Sequence, residues 1–188
     1  MEPEKLVVVG VTLVVVVVGM VVGVSFLTYP TDNDGGHNQL TRTTQNTDLL
    51  ELQLKVPDSW TFAMSDGSSI TLADLEGQVI LIDLMATWCT TCTTQNDYLE
   101  TVNEGLGSLG VIISLTVDTS ETVSMMEDYK TSKDLPWAHG VDDTLFMNYF
   151  SVSSVPTMVL IDGDGFFRYF HIGLWTAASI SDKMASIA

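Results

Sequence analysis

Residues 79–92 read Val79-Ile80-Leu81-Ile82-Asp83-Leu84-Met85-Ala86-Thr87-Trp88-Cys89-Thr90-Thr91-Cys92. The first six form a nearly continuous apolar run, suited to a central strand covered on both faces. Two cysteines close the stretch, and the residues from about Thr90 to Glu104 lack Pro and Gly and can be helical. A buried strand thus runs into a Cys-x-x-Cys pair that opens a helix. At this spacing the two sulfurs meet on the first helical turn and can close a small disulfide. Cys89 lies at the helix N-terminus, where unpaired N–H groups and the macrodipole favour a thiolate. That makes it a nucleophile near neutral pH. Cys92 lies one turn deeper and takes the role of resolving thiol. Attack by Cys89 gives a mixed disulfide with a substrate, which Cys92 then displaces.

Bland readings of the same residues stand beside this one. A Cys-x-x-Cys pair can be half a zinc site, but the only histidines are His37, His139 and His171, and none forms a local pair. It can also be a permanent structural bridge, although so short a loop constrains the unfolded chain little. Having two cysteines excludes a disulfide-stapled miniprotein and a four-cysteine zinc site. Neither a metal nor a cofactor is expected. Asp83 interrupts the apolar strand six residues before Cys89. Desolvated there, it would have a raised pKa and could exchange a proton with Cys92; alternatively it sits at a strand end and reaches solvent. Pro156, in Ser154-Val155-Pro156-Thr157, is either a trans strand-start proline or a cis one that exposes the Val155 backbone to a substrate strand.

Farther out, strand and helix signals alternate. Leu50, Leu52, Leu54 and Val56 alternate with polar residues. Trp60–Met64 and Ser69–Leu72 flank Asp66-Gly67, a hairpin signal. Gly105, Gly107 and Gly110 punctuate before a buried strand at Val111–Val117. Helical spacing follows over Ser120–Lys130, then a short strand at Trp137–Val141 and a short helix at Thr144–Phe150. Thr157–Ile161 and Phe166–Ile172 pair around the turn Asp162-Gly163-Asp164-Gly165, and Thr176–Ile187 closes as a helix. The expected fold is an α/β domain with a mixed central sheet flanked by helices.

The N-terminal segment has a different character. Leu6–Leu27 holds 22 uncharged residues, twelve of them valine. As a helix these span about 33 Å, enough for a bilayer core. The run is too long for a signal peptide and lacks a small-residue cleavage site. Residues 1–27 are therefore expected to be an uncleaved single-pass membrane anchor, residues 28–48 a flexible polar tether and residues 49–188 the folded domain. Lys5 flanks one side of the run and no Lys or Arg follows until Arg42. The positive-inside tendency then keeps the N-terminus in the cytoplasm and the main domain outside. With 24 acidic and 7 basic side chains, a net charge of −17, phosphate is repelled and nucleic acid is not an expected partner. The acidic surface either attracts basic partners or serves solvation in a saline environment.

Trp88-Cys89-x-x-Cys92 after a buried strand, the later Val155-Pro156-Thr157, a hairpin and Gly173 resemble the thioredoxin superfamily. The phrase Leu72-Ala73-Asp74-Leu75-Glu76-Gly77-Gln78-Val79-Ile80-Leu81, the inserted segment around Thr119–Asp143 and the closing Ile161–Gly165 are similar to the membrane-anchored TlpA/ResA-like thiol–disulfide oxidoreductases. The resemblance covers about Val56 to Leu174. It implies that Cys89 and Cys92 form a redox-active disulfide, with Cys89 attacking and Cys92 resolving. It implies further that Pro156 is the cis-proline, with Val155 before it and Trp88 beside the redox pair as substrate-contacting residues, and that Asp83 is the buried proton-exchanging aspartate. Implied partners are protein thiols and disulfides and a membrane or soluble redox protein; the implied direction is reductive, on apocytochrome c or copper-site cysteines. Three features depart from the pattern, one being that the proline usual further along the helix is absent, with Asn96-Asp97 nearby instead. Thr90 and Thr91 replace the proline common between the cysteines, and Gln95 stands where many relatives have glutamate, so proton exchange would fall to Asp83 or water. Two other readings use the same cysteines. One is a copper-delivery module with His139 or His171; the other is a thiol peroxidase.

Overall fold

The apolar run becomes strand β4, Val79–Met85, in a computed structural model that describes residues 54–188. All seven of its residues are buried. Successive side chains of a strand point to opposite faces. Val79, Leu81, Asp83 and Met85 therefore face one way, and Ile80, Ile82 and Leu84 the other. Both faces need cover, and the flanking chain supplies it.

Before β4 come β1 (Leu54–Lys55), β2 (Thr61–Met64), β3 (Ser69–Thr71) and a 3-10 turn at Leu72–Leu75. After it come α1 (Thr90–Leu106), β5 (Gly110–Thr116), α2 (Val123–Lys133) and β6 (Ala138–Val141). Then follow α3 (Leu145–Tyr149), β7 (Thr157–Ile161), β8 (Phe166–Ile172) and α4 (Ala177–Ser186). The strands form one mixed sheet in the order β1-β8-β7-β4-β5-β6-β2-β3. β4, β5 and β6 are parallel, joined by the crossover helices that parallel pairing demands. The other pairings are antiparallel. A Cβ on Gly110 would lie 2.1 Å from the Val79 carbonyl oxygen, so only glycine fits where β5 enters beside β4.

On the Asp83 side, α1, α2 and α4 bring Leu99, Val102, Met126, Ile180 and Met184 against Leu81 and Met85. On the other side, Phe62, Phe146, Phe150 and Phe167 close over Ile80, Ile82 and Leu84. Phe150 and Phe167 stack with ring centroids 4.1 Å apart.

Two helices differ from their expected limits for local reasons. The helix expected from Ser120 begins at Val123, because Asp118 Oδ1 holds Ser120 in a turn and Thr122 caps the helix through Met125 N–H. It runs on to Lys133 and stops where Asp134 turns left-handed (φ 55). The helix expected from Thr144 begins one residue later, because Thr144 is itself left-handed (φ 67). The anchor expected over residues 1–27, the tether over 28–48 and the strand signals at Leu50 and Leu52 lie outside the described residues. Among the described residues no helix is long and apolar enough to cross a membrane.

Candidate active site

Register gathers the site. β4 runs parallel to β5 and β6, so the three C-terminal ends share one edge of the layer. Leu84 near the end of β4 pairs with Thr157 at the start of β7, and Thr157 pairs with Ile172 at the end of β8. The turns after β4, after β5, before β7 and after β8 therefore meet at the same end. They carry Cys89, Glu121, Pro156 and Trp175 respectively.

Cys89 is the N-cap of α1, and its Sγ accepts a hydrogen bond from Cys92 N–H at 3.0 Å. The two cysteines are joined in a disulfide with Cα atoms 5.2 Å apart. Cys89 keeps 6% of its surface exposed and Cys92 none. Of the two residues only the first keeps any contact with solvent. Trp88 is 68% exposed beside it, its indole N–H donating to Asp118 Oδ2 at 2.7 Å. The Val155–Pro156 bond is cis. Val155 is half-buried and packs on the cluster that contains both cysteines, while Pro156 is buried.

Asp83 lies on the face of β4 that α1 covers, 1% exposed. Burial pushes its carboxyl up to about 7, opposed only in part by the Ser114 hydroxyl donating at 2.8 Å. Its Oδ1 has no hydrogen-bond partner. The carboxyl can therefore change charge near neutral pH. Ser114 in turn accepts from the Trp137 indole N–H at 2.9 Å. Asp83, Ser114 and His139 stand side by side across β4, β5 and β6. His139 is buried, bonded through Nδ1 to the Trp137 carbonyl at 3.0 Å, and desolvation drives its pKa down to about 4. It stays neutral at pH 7.

Gln95 on α1 is fully buried and forms a closed pair with the backbone of Trp175. Its Nε2 donates to the Trp175 carbonyl at 3.0 Å, and its Oε1 accepts from Trp175 N–H at 2.8 Å. A carboxylate could not donate the first of these bonds. The amide thus locks α1 to the β8–α4 turn. His171 stacks on Trp175 with centroids 4.9 Å apart and pairs through Nε2 with the Leu174 carbonyl at 2.9 Å. Among the described residues no three His, Cys, Asp or Glu side chains converge as metal ligands.

Reading the sequence missed three contributors. Ser114 left a trace, since it interrupts Val111–Val117 as Asp83 interrupts β4, at the matching register of a parallel neighbour. Trp137 and Glu121 left none, because a tryptophan at the start of an expected short strand and one acid among 24 look ordinary.

The Redoxin family model matches residues 53–174. The chain belongs to the Redoxin family. It is similar to the thiol-disulfide oxidoreductase ResA of Bacillus cereus, 30% identical over 101 residues that make up 53% of this chain and 58% of that protein. It is also similar to ResA of Bacillus subtilis, 27% identical over 130 residues, 68% of this chain and 72% of that one. The chain thus spans little more than half the length of the first of these relatives. A secreted thiol-disulfide isomerase from Corynebacterium glutamicum superposes with a TM-score of 0.64 at 19% identity, covering 81% of this chain and 98% of that one. The Redoxin-family domain therefore has the expected thioredoxin-like α/β fold, its mixed sheet flanked by helices.

Proposed function

We propose that this protein is a thiol–disulfide oxidoreductase that exchanges the Cys89–Cys92 disulfide with the thiols and disulfides of other proteins. The observation that carries the reading is the asymmetry of the pair. Cys89 caps the helix and reaches the surface beside exposed Trp88, while Cys92 is fully enclosed one turn below. Such a pair lets a partner sulfur reach Cys89 alone and leaves Cys92 to release it. Val155 and Trp88 frame the opening as substrate contacts, and Asp83 supplies or receives the proton of Cys92. The direction is reductive, toward disulfides such as those of apocytochrome c or of copper-site cysteines. Residues 6–27 tether the domain to the membrane, with the N-terminus in the cytoplasm and the redox pair outside; protease accessibility in intact cells tests that orientation.

The exchange reading is tested by trapping. Cys92→Ser should accumulate mixed disulfides with protein partners, Cys89→Ser should accumulate none, and the reduced wild-type protein should reduce insulin disulfides. If Cys92→Ser captures no protein but the wild type retains copper through its cysteines, the exchange reading fails.

A further inference from the structure

Two carboxylates hold the turn that presents Cys89. Glu121 is 5% exposed and accepts from the Thr87 backbone N–H at 3.0 Å, from the Thr87 hydroxyl and from the Thr116 hydroxyl. Thr87 lies two residues before Cys89 in the chain. Thr116 ends β5, opposite Met85 at the end of β4. Glu121 therefore ties the turn to the sheet at its base. All its partners donate to it, which suits an acceptor-only carboxylate. Asp118, on the same β5–α2 connection, accepts from the Trp88 indole, and hydrogen bonds from Ser120 and Trp88 hold its carboxyl below the usual range.

Among the described residues no cation pairs with either carboxylate. The basic side chains of the described residues are Lys55, Lys130, Lys133, Arg168 and Lys183. Lys55 pairs with Phe166 at the start of β8, and Arg168 is bonded to Asp162 just past the end of β7. Lys130 and Lys133 lie in the last turn of α2 and Lys183 in the last turn of α4. Topology puts Lys55, Lys133, Arg168 and Lys183 toward the end of the sheet opposite Cys89, while Lys130 acts on His139 in mid-sheet. The titratable groups on the elements around the start of α1 are Asp83 on β4, Tyr129 on α2, His139 on β6 and His171 on β8, with Asp118, Glu121, Asp142 and Asp143 in the connections. His139 is neutral at pH 7.

We propose that Glu121 is a positioning residue of the exchange reaction, fixing the turn that presents Cys89 and, together with Asp118, opposing the Cys89 thiolate so that the pair gives up electrons more readily. This rests on the exchange reading above and deepens it by naming residues that hold the Cys89 turn and favour the reductive direction. In that direction the Cys89 thiolate attacks one sulfur of a substrate disulfide, and the other substrate sulfur leaves and takes a proton. Cys92 then loses its proton and attacks Cys89 Sγ, and the second substrate sulfur leaves. Two electrons pass to the substrate and the Cys89–Cys92 bond closes. A couple whose reduced thiolate is strongly stabilised keeps its electrons and oxidises others; one whose thiolate faces uncompensated negative charge does the opposite.

The test reads Cys89 ionisation directly, as the pH dependence of alkylation by iodoacetamide in a Cys92→Ser background. Adding Glu121→Gln should move the midpoint to lower pH by about half a unit or more, about threefold in thiolate fraction on the acid side. Asp118→Asn should move it in the same direction by less, and Thr87→Val, which removes a hydrogen bond but no charge, should leave it in place. With both cysteines present, Glu121→Gln should shift the equilibrium with glutathione toward the reduced dithiol. Midpoints that stay fixed or rise in both carboxylate variants overturn the proposal, as does a Thr87→Val shift equal to that of Glu121→Gln. Should Glu121→Gln fail to fold, Asp118→Asn decides. A small alkylating reagent needs no protein partner, so this result and the trapping result can fail independently.

Discussion

The two faces of β4 are built from alternate residues of one strand, yet they do different work. On the face under Phe62, Phe146, Phe150 and Phe167 the residues of β4 are all apolar, and these aromatic rings stack. The face under α1 carries a row of polar groups, Asp83, Ser114 and His139, in an otherwise apolar cluster. Three buried polar atoms there, on Asp83, Asn96 and His139, have no hydrogen-bond partner. Burying polar groups without partners costs stability. The apolar face offsets that cost, and the polar face holds a carboxyl that titrates near neutral pH. One face holds the domain together, and the other is the one to which the proposed exchange assigns a proton-transfer group.

That contrast can be broken most forcefully on the apolar face. Phe167→Ala removes a fully buried ring stacked on Phe150 and should cost about 3–5 kcal/mol of stability by denaturant unfolding. The thiol chemistry of the molecules that remain folded should be unchanged. On the polar face the sign reverses. The folded value of Asp83, near 7, lies above its usual 3.8, so its contribution to stability is complete below about pH 3.8 and lost as pH rises through 7. Asp83→Asn should therefore stabilise the protein by roughly 2–4 kcal/mol at pH 8, while exchange slows and loses its inflection near pH 7. His139 works in the opposite sense. Held down to about 4, it contributes stability above about pH 6.5 that is lost as pH falls through 4. With Asp83 replaced, unfolding measured from pH 4 to 6.5 should show stability rising with pH. The smallest effect is expected at Gln95. Gln95→Glu sets a carboxyl against the Trp175 carbonyl and should cost about 1–3 kcal/mol, more at high pH. A loss relative to the wild type that is equal at pH 5 and pH 8 would contradict the role given to that amide.

Much of this site was legible in the chain because its signals are local. Trp88-Cys89-Thr90-Thr91-Cys92 after an apolar strand announces a helix mouth with two sulfurs on one turn. Asp83 stands out because a carboxylate is costly in such a strand. Asp66-Gly67 and Asp162–Gly165 are turns by their own chemistry, and the structure places both where expected, with β2–β3 and β7–β8 flanking them. The start of α2 was less legible, since Asp118 and Thr122 compete to end one turn and open the next, and spacing alone does not rank them.

The order of apolar strands, the place of the two sulfurs on a helix and the anomaly of Asp83 follow from the residues alone, because periodicity and the cost of a buried charge act within a few positions of the chain. The placing of Cys89 and Val155–Pro156 at one end of the sheet, the lock of Gln95 on Trp175 and the grip of Glu121 on Thr87 were decided by tertiary structure. Each joins groups far apart in sequence, and only strand register and helix packing set the distance between them.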